Sequence, residues 1–418
     1  MAAEDRAREL DRRTLDDLTP EEADGRRALV RVDFNVPLEG EAPNRRVASD
    51  ARIRAALPTI EALEARGAVI VLASHLGRPK DGPDPALSLR PVAERLEELL
   101  GRGVVFMPEP LDERSVKLVR ESGGGEVYLL ENLRFHPGEK ANDPEFAETL
   151  AAYGEFFVQD AFGTCHRAHA STVGVTERLH PSVAGKLVAE ELAAFRRVLA
   201  PERPFAAVIG GAKIAGKLEV LEDLAERCDR VCLGGGMAHT FLAARGLEIG
   251  DSLVDEDLID EAGSLLERHG EKLVLPVDAV IAREIDSAAE TRTIEVEAGV
   301  PEGWKILDIG PGAVERIAAE IGSAKTVFWN GPLGVFETPP FDAGTRAVAE
   351  RLAAATRRGA YTVTGGGDSL AALEQAGLVD QVSHASTGGG AALELVGGRS
   401  LPGVEALDPA PAGPGAGR

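Results

Sequence analysis

Short runs of β-branched and apolar residues recur along the chain, each closing on a glycine-rich or polar turn and giving way to a stretch with helical spacing. ALVRVDF runs into NVPLEG, AVIVLAS into HLGRP, EVYLLEN into LRFHPGE, and EFFVQDA into FGTCHRAH. Farther on the theme returns. FAAVIGG precedes AKIAGKLEVLEDLAE and RVCLGGG precedes MAHTFLAARG, and TVFWNGPLG and AYTVTGGGDSLAALEQ repeat it. Strand–turn–helix units in series predict parallel sheets with helices on both faces. The apolar runs are nearly continuous rather than alternating, as in strands buried on both sides.

Between the two series lies GKLVAEELAAFRRVLAPERP, in which Val188, Leu192, Phe195 and Leu199 fall on one helical face. Pro201 and Pro204 follow and stop the helix. The chain thus divides into an N-terminal domain over 1–185, a connecting helix over 186–200, a C-terminal domain over 201–400 and a C-terminal segment over 401–418. That last segment ends in a Pro/Gly-rich stretch expected to be a mobile tail. The fold class expected is α/β, two doubly wound, Rossmann-like parallel-sheet domains joined by a helix.

Bulk properties narrow the function. A length of 418 residues with 44% hydrophobic content suits two cores rather than one. The balance of 46 basic against 69 acidic residues, a net charge of -23, argues against a nucleic-acid binder. Any polyanion site must concentrate basic residues locally against an unfavourable overall field. No apolar run approaches the length of a membrane span, and MAAEDRARELDRRTLDDL lacks the apolar core of a secretory signal. Three sparse cysteines, Cys165, Cys228 and Cys232, give no disulfide framework and no paired zinc ligands, which points to a reducing, cytoplasmic compartment.

Ligands of doubly wound sheets bind at the carboxyl ends of the strands. In the first half those ends carry Asp33 and Asn35, then His75 and Arg78, then Arg134, then His166, Arg167 and His169, while Arg52 opens the helical RIRAALPTIEALEARG. A lone arginine after a strand is usually a solvated or salt-bridged surface residue, and a lone histidine is often a structural one. Coincidence at four successive strand ends points instead to an anion site, and arginine recognises carboxylate and phosphate bidentately. A small phosphorylated carboxylic acid is the natural guest.

In the second half, Gly211 to Lys217 reads G-x-x-x-x-G-K, but Leu218 stands where a Walker A loop needs a hydroxyl for magnesium, so a P-loop ATPase is rejected. Backbone amides at a helix start still favour phosphate, and Lys213 and Lys217 add charge. Further glycine clusters at 234–236, 365–367 and 388–390 suggest a nucleotide lying across the sheet edge, or simply tight strand–helix packing. Asp368 is open to two readings, a helix N-cap or a magnesium ligand beside phosphates. Glu337, in WNGPLGVFE, is equally open between a ribose contact and a solvated loop acid.

Taken together, RVDFNVP, RIRAALPTI, ASHLGRP, ENLRFHPGE, DAFGTCHRAHAS, GGAKIAGKL, WNGPLGVFE, TGGGDS and STGGGAALEL appear in the order of one family, and the chain resembles the phosphoglycerate kinases. The resemblance runs from about residue 31 to about 407. It implies two lobes joined by a helix, with the C-terminal segment returning toward the first lobe. It implies reversible phosphoryl transfer from 1,3-bisphosphoglycerate to ADP, with Mg2+ accompanying the nucleotide. The chain is expected to be a monomer that binds neither nucleic acid nor membrane. By motif, Asp33, Phe34, Asn35, Arg52, His75, Leu76, Gly77, Arg78, Arg134, His166 and Arg167 would form the 3-phosphoglycerate site. Gly211, Lys213, Lys217, Gly310, Glu337, Gly366, Gly367, Asp368 and Ser369 would form the nucleotide site, with Asp368 facing magnesium. Arg52, Lys213 and a backbone cradle at Gly388, Gly389 and Gly390 would serve the transferring group. Ser369 stands where the family usually has threonine, Cys165 where a small apolar residue is common, and Gly216 where a polar residue is usual.

The acceptor carboxylate is already ionised at neutral pH, so no general base is required and the chemistry reduces to positioning and charge neutralisation. Two other readings are weaker. A nicotinamide dehydrogenase would want a G-x-G-x-x-G turn, which no strand end supplies. A non-catalytic scaffold on this fold would have no use for both lysines, Asp368 and the full arginine set.

Overall fold

The computed structural model describes residues 3–411 apart from 43, 81 and 124. Of the stretch over 408–418 expected to be a mobile tail, 412–418 lie outside the described residues, while Asp408 N donates to Ser182 O at 2.9 Å and Ala410 N to Asp11 O at 3.2 Å, which ties its start to the first unit. The chain splits into two compact units. One holds the residues up to Ala193 together with the segment from Ser400 onward, and the other is Ala194–Arg399. Among the described residues no helix is long and apolar enough to cross a membrane.

The first unit is built on β1 (Arg27–Val32), β2 (Val69–Ala73), β3 (Val104–Met107), β4 (Val127–Leu130), β5 (Phe156–Asp160) and β6 (Ser182–Ala184). These lie side by side in the order β3-β4-β2-β1-β5-β6, all parallel. Every residue of β2, β4 and β5 is buried, the consequence of apolar runs covered on both faces. Winding proceeds outward from β1 through β2, then restarts at β5 on its other side, so the switch point lies between β1 and β5. The edge strands β3 and β6 were not expected from the sequence. β3 is only partly buried, although its run VVFM is wholly apolar.

The second unit repeats the plan with β7 (Phe205–Ile209), β8 (Arg230–Leu233), β9 (Leu273–Val274), β13 (Thr326–Asn330), β14 (Tyr361–Gly365) and β15 (His384–Ser386). Their parallel order is β9-β8-β7-β13-β14-β15, which puts the switch point between β7 and β13. Inserted between β9 and β13 is an antiparallel sheet of β10 (Asp278–Ala282), β11 (Arg292–Glu295) and β12 (Lys305–Ile309), with β10 in the middle. This sheet is an addition to the expected architecture. Its strand β11 is largely exposed, so TRTIEVEAG carries little of the apolar signal that marks the core strands.

The helix Lys186–Leu199 starts in the first unit and ends in the second. Val188, Leu192, Phe195 and Leu199 are all buried, as their spacing required. Phe195 meets the ring of Phe328 edge-on at 6.3 Å. The first turn of this helix hangs on β5 and its neighbour helix. Leu187 N donates to Asp160 Oδ1 at 3.0 Å, and Lys186 N donates to Thr59 Oγ1 at 2.8 Å. Gly185 is glycine because a Cβ there would run into the Asp160 carboxylate. The C-terminal segment packs on the first unit, with Gly403 N donating to Cys165 O at 2.9 Å and Ser182 N donating to Asp408 Oδ2 at 3.0 Å.

Asp160 is 1% exposed, its Oδ2 lacks a hydrogen-bond partner, and burial pushes its carboxyl up to about 7. Between the ordinary carboxyl value of 3.8 and about 7 the folded chain therefore retains a proton that the unfolded chain releases. This group's contribution to stability accordingly falls as pH rises through that window. Asp160→Asn keeps an acceptor for Leu187 and removes the ionisation. Its melting temperature relative to the parent should climb by several degrees as buffer pH is raised from about 5 to about 8. A difference that stays constant across that range would show that Asp160 does not titrate there.

Candidate active site

At the first switch point the loops after β1, β2 and β4 are stitched together by buried amides. Asn132 Oδ1 accepts from Leu76 N at 3.1 Å and Asn132 Nδ2 donates to Leu76 O at 2.7 Å. Asn35 Oδ1 accepts from Gly77 N at 2.8 Å, and Phe34 N donates to Ser74 Oγ at 2.9 Å. Phe34 and Leu76 are themselves core residues, 0% and 3% exposed, so they shape the expected acceptor site without offering it a side chain. Gly77 takes a left-handed φ of +62°, which lets the loop turn there. Above this floor Asp33 holds Arg52 Nη1 at 2.7 Å, and Arg78 is exposed.

Arg134 donates from Nη1 to Gly77 O at 2.8 Å, while its buried Nε has no partner. Burial, with Arg31 and Arg167 nearby, brings its guanidinium down to about 10, so it stays charged at neutral pH. A buried donor left unpaired among like charges is the arrangement an anion would relieve.

The histidines behave differently from the expected island of positive charge. Burial, reinforced by Arg31, holds His75 well below its ordinary value. Burial and then Arg167 bring His166 down to about 4. Both rings are therefore neutral at pH 7. His75 Nδ1 lies 3.0 Å from Arg31 Nη2, and His166 Nε2 accepts from Arg167 Nε at 3.0 Å. His169 is buried with Nδ1 3.7 Å from Glu139 Oε1. The positive charge of this half-site is arginine charge.

Arg31 escaped the sequence reading although it stands in RVDFNVP. It is 1% exposed. Its Nε donates to Ser171 Oγ at 2.8 Å, and that hydroxyl donates on to Glu139 Oε1 at 2.6 Å. Burial alone would raise the Glu139 carboxyl, but the nearby His169, the charge of Arg31 and the hydrogen bond from Ser171 hold it below the usual range. The available signal was a charged residue inside an otherwise apolar strand, which a fold can keep only by supplying a partner.

At the second switch point the backbone itself is the framework. Gly210 N donates to Asn330 O at 2.8 Å, Gly211 N to Pro332 O at 2.9 Å, and Gly235 N to Leu333 O at 3.0 Å. A Cβ at Gly210 or Gly331 would collide with the facing loop. Asn330 Nδ2 donates to Gly365 O at 2.6 Å and lies 3.4 Å from Gly389 O, joining two of the glycine turns. Ser369 Oγ accepts from Gly331 N at 2.6 Å, so its hydroxyl serves the same framework.

The turn GGAKIAGK departs from expectation. The helix begins only at Leu218, and Ile214 N and Ala215 N donate to Asp255 Oδ2 at 2.7 and 3.2 Å. Amides expected to cradle phosphate are thus held by a carboxylate 40 residues on, and Asp255 is a second residue the sequence reading missed. Lys213 is exposed at this turn. Burial lowers the Lys217 ammonium and the nearby Asp368 partly offsets the shift. Asp368 is the second residue of the helix Gly367–Ala376. Gly366 is the N-cap, with φ +108°, so the N-cap reading of Asp368 fails. Gly310 caps the helix Pro311–Ser323, and a Cβ on it would meet Asp278, whose carboxylate accepts from Gly312 N at 2.8 Å and Ala313 N at 2.7 Å. Gly388 is the N-cap of the helix Gly389–Gly397. Gly211, Glu337 and Asp368 line a cleft of about 440 Å³ in this unit.

Residues 15–399 match the family model for phosphoglycerate kinase. The chain belongs to the phosphoglycerate kinase family. It is 50% identical over 405 residues to the phosphoglycerate kinase of Synechococcus elongatus, covering 96% of this chain and all of that protein. It is 52% identical to that of Chloroflexus aggregans over 92% of this chain and 97% of that one. Among solved structures, phosphoglycerate kinase from Coxiella burnetii aligns with a TM-score of 0.78 at 38% identity, covering 92% of this chain and 96% of that one. The Pyrococcus horikoshii enzyme aligns at 0.83 and 30% identity, covering 94% and 98%. Phosphoglycerate kinases transfer a phosphoryl group to a carboxyl acceptor. Such a reaction suits a half-site in which arginine dominates and His75 and His166 are neutral.

In this chain Arg31→Met would leave the buried Glu139 without its compensating charge. Urea unfolding should report a loss of roughly 3–5 kcal/mol, with part of it recovered on adding Glu139→Gln. Strict additivity of the two changes would show that Arg31 and Glu139 are not coupled.

Proposed function

We propose that the first unit binds 3-phosphoglycerate and the second binds ADP or ATP, and that the chain moves a phosphoryl group reversibly between 1,3-bisphosphoglycerate and ADP. The observation that carries this reading is Arg134, partly buried, with an unpartnered Nε, set among Arg31, Arg52 and Arg167 at the first switch point. Arg78 and Arg167 extend that patch, and Asn35 and Gly77 fix its floor. The attacking carboxylate needs no base, so the neutral His75 and His166 are left to orient arginines. Asp33 holds the Arg52 guanidinium in place. Lys213, exposed on its turn, is free to follow charge onto the transferring oxygens.

Glu337 is the ribose partner, and Lys217 with the Gly366–Ser369 turn faces the phosphates. Among the described residues no three His, Cys, Asp or Glu side chains gather into a metal cage. That fits Mg2+ arriving on nucleotide phosphates and meeting the single exposed carboxylate of Asp368. When bound, magnesium neutralises phosphate charge. Free, buried thiols at Cys165, Cys228 and Cys232 favour the reducing cytoplasm as its compartment, and we take the enzyme to work as a monomer.

The direct test is ATP formation from 1,3-bisphosphoglycerate, ADP and magnesium. No transfer with all three present defeats the proposal. Lys213→Ala should cut kcat by roughly 10²–10³ while nucleotide affinity holds. The opposite pattern would make Lys213 a ground-state binding residue. Because each half-site belongs to a different unit, in-line transfer to within roughly 3–3.5 Å requires the two units to close on their ligands. The radius of gyration from solution scattering should therefore fall most with both ligands bound, and an identical radius in every state would rule closure out.

A further inference from the structure

The nucleotide cleft contains a polar atom that neither the phosphate nor the ribose assignments use. His239, on the helix Gly235–Ala244, lines the cleft and is 5% exposed. Its Nδ1 lies 2.9 Å from the carbonyl oxygen of Leu253. A carbonyl only accepts, so Nδ1 carries the proton in this contact. Burial brings the ring down to about 4, so at neutral pH the imidazole is uncharged and Nε2 presents a lone pair. Among the described residues nothing donates to Nε2, and it is not one of the fully buried side-chain atoms left without a partner. The small exposed part of the residue faces the cleft it lines.

Much of the cleft is apolar, with Asp251, Lys305 and Asp308 also in its lining. Leu253 and Ile285 are two of the few large hydrophobic residues left exposed, at 46% and 56%, and both line this cleft. Leu242, Pro276 and Ala279 line it too. Exposed apolar side chains gathered in one concavity mark a binding surface. Of the three parts of a nucleotide, the phosphates call for Lys217 and Asp368 and the ribose for Glu337, which leaves the apolar part of the cleft for the flat faces of the base.

Purines differ at position 6. Adenine carries an amino group that donates there, whereas hypoxanthine and guanine carry an oxygen that accepts. We propose that His239 Nε2 accepts a hydrogen bond from the 6-amino group of adenine and so makes this enzyme select adenine over 6-oxopurine nucleotides. A 6-oxo group would set two lone pairs against each other in a desolvated site, and it is the unpaired partner that costs affinity. The inference rests on the assignment of this cleft to the nucleotide.

The test is calorimetric binding of ADP and of inosine 5'-diphosphate to the full-length protein. The parent should prefer ADP by about tenfold or more, the value of one well-formed hydrogen bond and its lost counterpart. His239→Phe keeps a planar ring and removes the lone pair, and should bring the ratio close to one mainly by weakening ADP. His239→Gln restores an acceptor oxygen and should keep most of the preference, which a purely structural role for the ring would not produce. Equal affinity of the parent for both diphosphates, or an unchanged ratio in His239→Phe, overturns the base reading alone. Failure of both diphosphates to bind the parent overturns the cleft assignment and the base reading with it.

Discussion

A charge buried beneath the first half-site sets what that half-site can do. Arg31 is enclosed at the end of β1, linked through the Ser171 hydroxyl to a fully buried Glu139 and set against His75. Two buried ions at this depth are tolerable only when each is compensated and hydrogen-bonded. Compensation is local, but the field is not confined. It helps to keep His75 neutral and presses on Arg134. An acidic protein thereby keeps a patch of arginine charge where the sheet changes its winding, the arrangement that an anion would relieve.

The second half-site follows a different physical rule. Its polar framework is mostly backbone, drawn together because glycines let the loops after β7, β8, β13 and β14 approach without side chains between them. Asn330 and Ser369 then lock the turns from beneath. Asp255 occupies amides of the GGAKIAGK turn, so that turn is held in shape by a carboxylate rather than waiting open. What remains for a ligand is the exposed charge of Lys213 and Asp368, the half-buried Lys217, and an apolar cleft. One unit therefore presents charge through side chains, and the other presents backbone and apolar surface.

Much of this was legible in the chain. The core strands are apolar runs buried on both faces, and β2, β4, β5, β7 and β13 carry that signal plainly. The connecting helix was equally clear, since Val188, Leu192, Phe195 and Leu199 repeat at the helical period. The edge strand β3 and the inserted antiparallel sheet were not expected; β11 is mostly exposed and has no need of continuous apolar residues, whereas β3, β10 and β12 carry short apolar runs that were not recognised as strands. The sequence also does not say why Gly185 and Gly310 are glycine, since the reason is the close approach of Asp160 and Asp278.

By itself the sequence determined the two doubly wound sheets, the helix between them, the strand ends on which arginines, lysines and glycines gather, and the family. Those properties follow from periodicity and local order, which a linear chain expresses directly. Only the tertiary structure decided the protonation of His75 and His166, the burial of Arg31 against Glu139, the capture of the GGAKIAGK amides by Asp255, and the free acceptor on His239. Each depends on burial and on partners tens or hundreds of residues away. A group's charge and its unsatisfied hydrogen bonds are set by what surrounds it in space, and a sequence does not say what that will be until the chain has closed around it.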